Sequence, residues 1–173
     1  MTWAKLSSSI EPINYQRKVI GFDTFSGFPS VDKKDETSNP LYRVGAFSEL
    51  DTYDPYEELQ EIINEYNENR FINHIPKIEL IKGDANITIP KYINENQHLL
   101  VSLLYLDFDI YEPTVTALKH FLPRMPKGAI IAFDEVNNSH WPGETMALIE
   151  QLNLGDYKLC CFEFEPNISY IKL

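Results

Sequence analysis

Two apolar runs in this sequence end abruptly in acids. Leu99 to Glu112 reads LLVSLLYLDFDIYE, and Val101 to Leu106 carries no charge before Asp107 and Asp109 follow. Gly128 to Phe133 ends the same way, in Asp134 and Glu135. An uncharged run of this length reads as a strand buried on both faces, in the middle of a parallel sheet. Acids directly after it stand at the strand's carboxyl end, where open α/β sheets bind their ligands. Two neighbouring strands of this kind gather their carboxylates in one crevice, a natural place for a cation. Hard oxygen donors without Cys or His suit Mg²⁺, Mn²⁺ or Ca²⁺ rather than zinc. Asp107, Asp134 and Glu135 are the candidate ligands. Asp109, two positions on from Asp107, points to the same side if strand geometry persists. It is the candidate general base toward a substrate hydroxyl.

Two further strands repeat the pattern. Lys18 to Phe22 ends in Asp23, and Ile78 to Ile81 ends in Lys82-Gly83-Asp84. Any one such acid is explained by turn or capping chemistry; a series of strands that all end this way favours a site. A carboxylate has two acceptor oxygens and can hold the paired hydroxyls of a ribose, a role that suits Asp23. Asp84 suits an adenine pocket, where it would accept from the exocyclic amine.

The elements between these strands are helical. Thr2 to Ile10 reads as the tail of a helix. Asp54-Pro55 opens another, with Asp as cap and Pro in the first turn, and Leu59, Ile62, Ile63 and Tyr66 supply its apolar stripe. A short helix is expected over Ile89 to Asn96, and others over Glu112 to Leu122 and from Pro142 to about Leu154. Leu159 to Phe164 and Ile168 to Leu173 read as a hairpin joined through Glu165-Pro166-Asn167. Strands alternating with helices predict an α/β fold, a mostly parallel Rossmann-like sheet with an antiparallel C-terminal hairpin. Residues 1–173 form a single domain. The polar stretch from Ser30 to Asp51 has no clear period, and residues 30–53 are read as a lid or substrate loop.

The net charge of −11 repels phosphate, which excludes nucleic acid and anionic membrane as partners and tolerates a divalent cation. No segment is long and apolar enough to span a bilayer. The amino terminus lacks the pattern of a signal peptide. The two cysteines, Cys160 and Cys161, are adjacent in an expected strand and read as buried thiols of a reducing cytoplasm. The partner is a small molecule, and a homo-oligomer is compatible with the sequence.

The motifs GFDTFSGFP (Gly21–Pro29), GDA (Gly83–Ala85), LDFDIYEPT (Leu106–Thr114), and FDE with WPGE (Phe133–Glu135, Trp141–Glu144) occur in this order. In this the chain resembles the macrocin O-methyltransferase (TylF) family, which are class I, metal-dependent sugar O-methyltransferases using S-adenosylmethionine. The resemblance implies that Asp23, Thr24 and Phe25, with Gly83, Asp84 and Ala85, hold S-adenosylmethionine. It implies Mg²⁺ on Asp107, Asp134 and Glu135, and Asp109 as the base. The family often carries Asp-Asp where this chain has Asp134-Glu135. Tyr111, His140 and Trp141 are the candidate sugar contacts.

The resemblance also implies a first strand with a glycine-rich turn, and neither is found. The domain therefore reads as partial at its amino end, with a strand missing between those ending at Asp23 and Asp107. Weak or no binding of S-adenosylmethionine by the chain alone is the expectation. Two other readings remain open. Asp107-Phe108-Asp109 also fits a metal-dependent glycosyltransferase, though Asp134 and the GFDTF segment fit it less well. A non-catalytic methyltransferase remnant is the third reading.

Overall fold

The computed structural model describes residues 1–48 and 54–173. Its strands fall into two sheets. β1 (Val19–Asp23) pairs in parallel with β2 (Ile78–Lys82). β3 (Leu103–Leu106) pairs in parallel with β4 (Ile130–Phe133), and β4 pairs antiparallel with β6 (Glu165–Lys172). β5 (Leu159–Phe162) lies outermost, antiparallel to β6. The second sheet therefore runs β3-β4-β6-β5, with β6 alone reversed.

The expected break in the sheet falls between β1 and β3, which share no ladder. At the amino ends of these strands, Arg17 Nη1 donates to Ser102 Oγ at 2.9 Å. The unpaired edge changes β3. Leu104 and Leu106 are buried, but Leu103 is 37% exposed and Tyr105 only half-buried, so β3 is not covered on both faces. The strand is also shorter than its apolar run: Leu99 to Ser102 lies outside it, and Leu100 is 74% exposed. Apolar composition alone does not bury a strand that lacks a neighbour.

The helices are α1 (Thr2–Ile10), α2 (Pro55–Glu68), α3 (Ala85–Glu95), α4 (Tyr111–Phe121) and α5 (Pro142–Gln151). α3 begins four residues earlier than periodicity suggests, because Asp84 caps it: its Oδ1 accepts from Asn86 N at 2.8 Å. The main core joins Ile89 and Ile93 of α3, Leu118 and Phe121 of α4 and Leu148 of α5 to Leu106, Phe133 and Ile171 of the sheet. A smaller one, Ala4, Ile63 and Ile78, lies between α1, α2 and β2. The two helices of most consequence, α4 and α5, follow β3 and β4 directly, so their first turns sit beside the acids.

The hairpin turns at Glu163-Phe164 rather than at Glu165–Asn167, since a register shift at Cys161 and Phe162 lets Phe162 pair with Glu165. Cys160 is half-buried and Cys161 exposed, against the expectation of buried thiols, because β5 is an outer edge. Among the described residues no helix is long and apolar enough to cross a membrane.

Candidate active site

The carboxyl ends of β1, β2 and β3 open into one cavity of about 340 Å³. Asp23, Thr24 and Phe25 line it from β1, Gly83, Asp84 and Ala85 from β2, and Asp107 and Asp109 from β3. A larger hollow of about 430 Å³ lies between α1 and α2, lined by Lys5, Tyr66 and Arg70, and contains no acid. The sequence-predicted cofactor residues are therefore brought together, along with two of the reaction-centre acids.

Two of these acids also serve the backbone. Asp23 Oδ1 accepts from Phe25 N at 2.6 Å, and Asp84 Oδ1 caps α3. One oxygen of each remains without a protein partner among the described residues. The Thr24 hydroxyl is spent inside the turn, donating to Gly27 O at 2.6 Å. Phe25, Phe47 and Asp109 all have left-handed backbone, φ 56°, 60° and 61°. Bulky residues rarely adopt that conformation, and such strain collects where a site over-determines the chain. Asp109 therefore reaches the crevice by a turn, not by strand alternation, since β3 has already ended at Leu106.

The two acids after β3 are held above the ordinary carboxylate range. Burial, reinforced by contact with Asp134 and by the charge of Glu135, pushes Asp107 up to about 6. Burial and then the charge of Asp107 push Asp109 up to about 7. Asp134 Oδ1 accepts from the Tyr105 hydroxyl at 2.7 Å. Glu135 is turned aside, with its carboxylate taking the side-chain amide of Asn138.

Behind them lies Glu144, fully buried in the first turn of α5. Its Oε1 accepts from Glu135 N at 2.9 Å, while its buried Oε2 has no partner among the described residues. Burial, with the charges of Asp109, Asp134 and Asp107 behind it, drives Glu144 up to about 8.

Among the described residues no group of three or more His, Cys, Asp or Glu side chains is assembled to hold a metal. The charge of Asp134 acts on Asp107, and a cation would relieve that repulsion. Their oxygens fit Mg²⁺ in chemistry; Glu135, as placed, completes no triad.

The three candidate sugar contacts lie outside the lining of the cavity. Trp141 is buried against Phe28 and Phe47, with both ring centroids at 5.7 Å. His140 is exposed, and its backbone N–H donates to Asn138 Oδ1. The Tyr111 phenol faces Lys34 and Glu150.

Sequence reasoning gave no role to Phe28, Phe47, Asp35 and Glu144. Asp32-x-x-Asp35 has the spacing of a capping box, which was a readable signal. Glu144 reads from sequence only as an acid at a helix start. Of the proposed lid, residues 30–48 are described, and residues 49–53 lie outside the described residues. Gly27 (φ 80°) seats the segment's far end. A Cβ there would meet Ala46 O at 2.2 Å, and Phe28 N donates to that same carbonyl.

No protein-family model matches the chain, and no curated protein does. Among solved structures, the crystal structure of CalS11, a calicheamicin methyltransferase, is 35% identical at a TM-score of 0.92 and covers 99% of this chain. The apo structure of CalS11, a TDP-rhamnose 3'-O-methyltransferase of calicheamicin biosynthesis, is 31% identical at 0.79, again over 99% of this chain. The O-methyltransferase NovP, 20% identical at 0.67 over 95% of this chain, shares the fold. The chain spans 66%, 65% and 63% of those three chains, just under two thirds of each. It has the Rossmann-like α/β fold of these methyltransferases.

Proposed function

We propose that the chain carries the catalytic portion of an S-adenosylmethionine-dependent O-methyltransferase of the macrocin type, acting on a sugar hydroxyl with Mg²⁺. What supports this most is the meeting of Asp23, Asp84, Asp107 and Asp109 in one cavity of a chain 35% identical to a calicheamicin methyltransferase. In this reading Asp23 holds the cofactor's ribose and Asp84 stands beside its adenine, with Thr24, Phe25, Gly83 and Ala85 forming the walls. Asp107 and Asp134, with Glu135 turning in, would hold Mg²⁺. Bound there, the cation supplies Lewis acidity that lowers the pKa of a substrate hydroxyl.

Asp109 takes the proton. Its pKa of about 7 is close to a cellular operating pH, where a general base is most effective. S-adenosylmethionine bound there would supply the sulfonium methyl, and holding the hydroxyl oxygen aligned with it would supply much of the rate. Residues 30–53 act as the lid that keeps water out. Tyr111, His140 and Trp141, at the starts of α4 and α5, are the proposed sugar contacts. The cytoplasm, where the cofactor is found, is the proposed compartment.

β1 and β3 share no ladder, and in this reading the chain holds S-adenosylmethionine weakly. Product analysis at millimolar cofactor tests the function, with TDP-rhamnose as the first acceptor. Mg²⁺-dependent release of S-adenosylhomocysteine is expected. Release of nucleoside diphosphate would instead identify a glycosyltransferase, the reading that likeness to sugar methyltransferases disfavours.

A further inference from the structure

α4 begins without a cap of its own. Its N-cap residue is Ile110, whose side chain cannot accept a hydrogen bond. The missing acceptor comes from far away in the sequence. Asp35, only 2% exposed, lies in a single 3₁₀ turn over Lys33–Asp35. Its Oδ1 accepts from Tyr111 N at 2.7 Å, and its Oδ2 accepts from Asp32 N at 2.9 Å.

The same carboxylate sits where a side chain on α5 would be. A Cβ at Gly143 would lie 1.7 Å from Asp35 Oδ1 and 2.6 Å from Tyr111 N. The first turns of α4 and α5 therefore close on one buried acid from the segment that begins at Ser30. Flanking contacts hold that segment in place. Lys34 Nζ donates to Glu150 at 2.7 Å, and the Thr37 hydroxyl donates to Ser139 O at 3.3 Å. Tyr111 is two residues beyond Asp109, whose left-handed turn leads into α4.

We propose that Asp35 is a positioning residue: it caps α4 from the 30–48 segment and so couples closure of that segment to the turn that presents Asp109. When the segment lifts, α4 loses its cap and the turn at Asp109 loses its anchor. The catalytic meaning of this rests on the reading of Asp109 as the base. The coupling itself does not, and it is measured without turnover.

The test follows two signals in the same protein: tryptic cleavage after Arg43, which is exposed, and hydrogen exchange of the Tyr111 amide. Asp35→Ala is expected to speed both by about fivefold to tenfold, the scale of a lost helix cap. The Asp109 and Ile110 amide resonances should shift with Tyr111. Asp35→Asn keeps an acceptor for Tyr111 and should give intermediate rates. Asp35→Asn carries the test if Asp35→Ala fails to fold. Faster cleavage with an unchanged Tyr111 amide would overturn the coupling, as would no change in either signal. Loss of methyl transfer in every assay, with the coupling intact, would count against the enzymatic reading alone.

Discussion

Asp107→Asn is expected to lower Mg²⁺-dependent methyl transfer by about three powers of ten or more. The expectation follows from its position. Asp107 follows β3, its carboxyl lines the cavity, and the charge of Asp134 at the end of the neighbouring β4 acts on it. An amide there donates where a cation needs an acceptor, and a Lewis acid at a reacting oxygen contributes several kcal/mol to the transition state. The Asp109→Asn variant separates the two roles. It should lose about 10²-fold to 10⁴-fold, the range for a general base, while its Mg²⁺ dependence stays as in the parent. Without a cation Asp109 is pushed up to about 7, and Mg²⁺ beside it lowers that value, so in the parent activity should rise with pH below 7 as Asp109 ionises. Steady-state rates over a Mg²⁺ series read all three. Parent-like turnover by Asp107→Asn would remove the metal assignment.

Glu144→Gln is expected to stabilise the cation-free protein at pH 8 while leaving it nearly unchanged at pH 5. Burial raises the Glu144 carboxyl from its ordinary 4.5 to about 8 in the folded chain. A group whose folded pKa is raised contributes stability below its unfolded value and loses it as pH climbs toward the folded value. Between about pH 4.5 and 8 the parent therefore loses stability as the unfolded chain releases a proton that the folded chain keeps. The loss from this one group is on the order of 4 kcal/mol at pH 8. A glutamine keeps an acceptor for Glu135 N and never has to ionise. Asp107 and Asp109 shift in the same direction, so the comparison of variant with parent isolates Glu144. Urea unfolding at the two pH values provides the measurement; an equal gain at both would mean that packing, not charge, sets the effect.

Much of the site was legible because strand ends are legible. An apolar run stopped by an acid marks both the element and its chemical end, which is how Asp23, Asp84, Asp107 and Asp109 could be assigned to one cavity before any coordinates. What sequence could not give were contacts made at long range. Nothing local to Asp35 shows that it caps a helix 76 residues away, and nothing local to Glu144 shows that its carboxylate is sealed behind Glu135. Exposure misled in the same way. The run before Asp107 is apolar enough for a central strand, yet burial depends on a neighbour, and β3 has one on only one side. The cysteines repeat the lesson at the outer edge of the second sheet. Asp109 shows the remaining gap, since strand periodicity cannot foresee a left-handed turn.

The central claim is that the cavity at the ends of β1, β2 and β3 is a methyl-donor site with a reaction centre of acids on its far wall. Amide resonances of the chain, followed during titration with S-adenosylhomocysteine and separately with a nucleoside diphosphate plus Mg²⁺, test it without requiring turnover. The expected result is a saturable shift of the Thr24, Phe25, Gly83 and Ala85 amides with S-adenosylhomocysteine, with an affinity weaker than micromolar. Silence at those four residues, together with shifts around Asp107 to Asp109 on adding the nucleoside diphosphate, would contradict it.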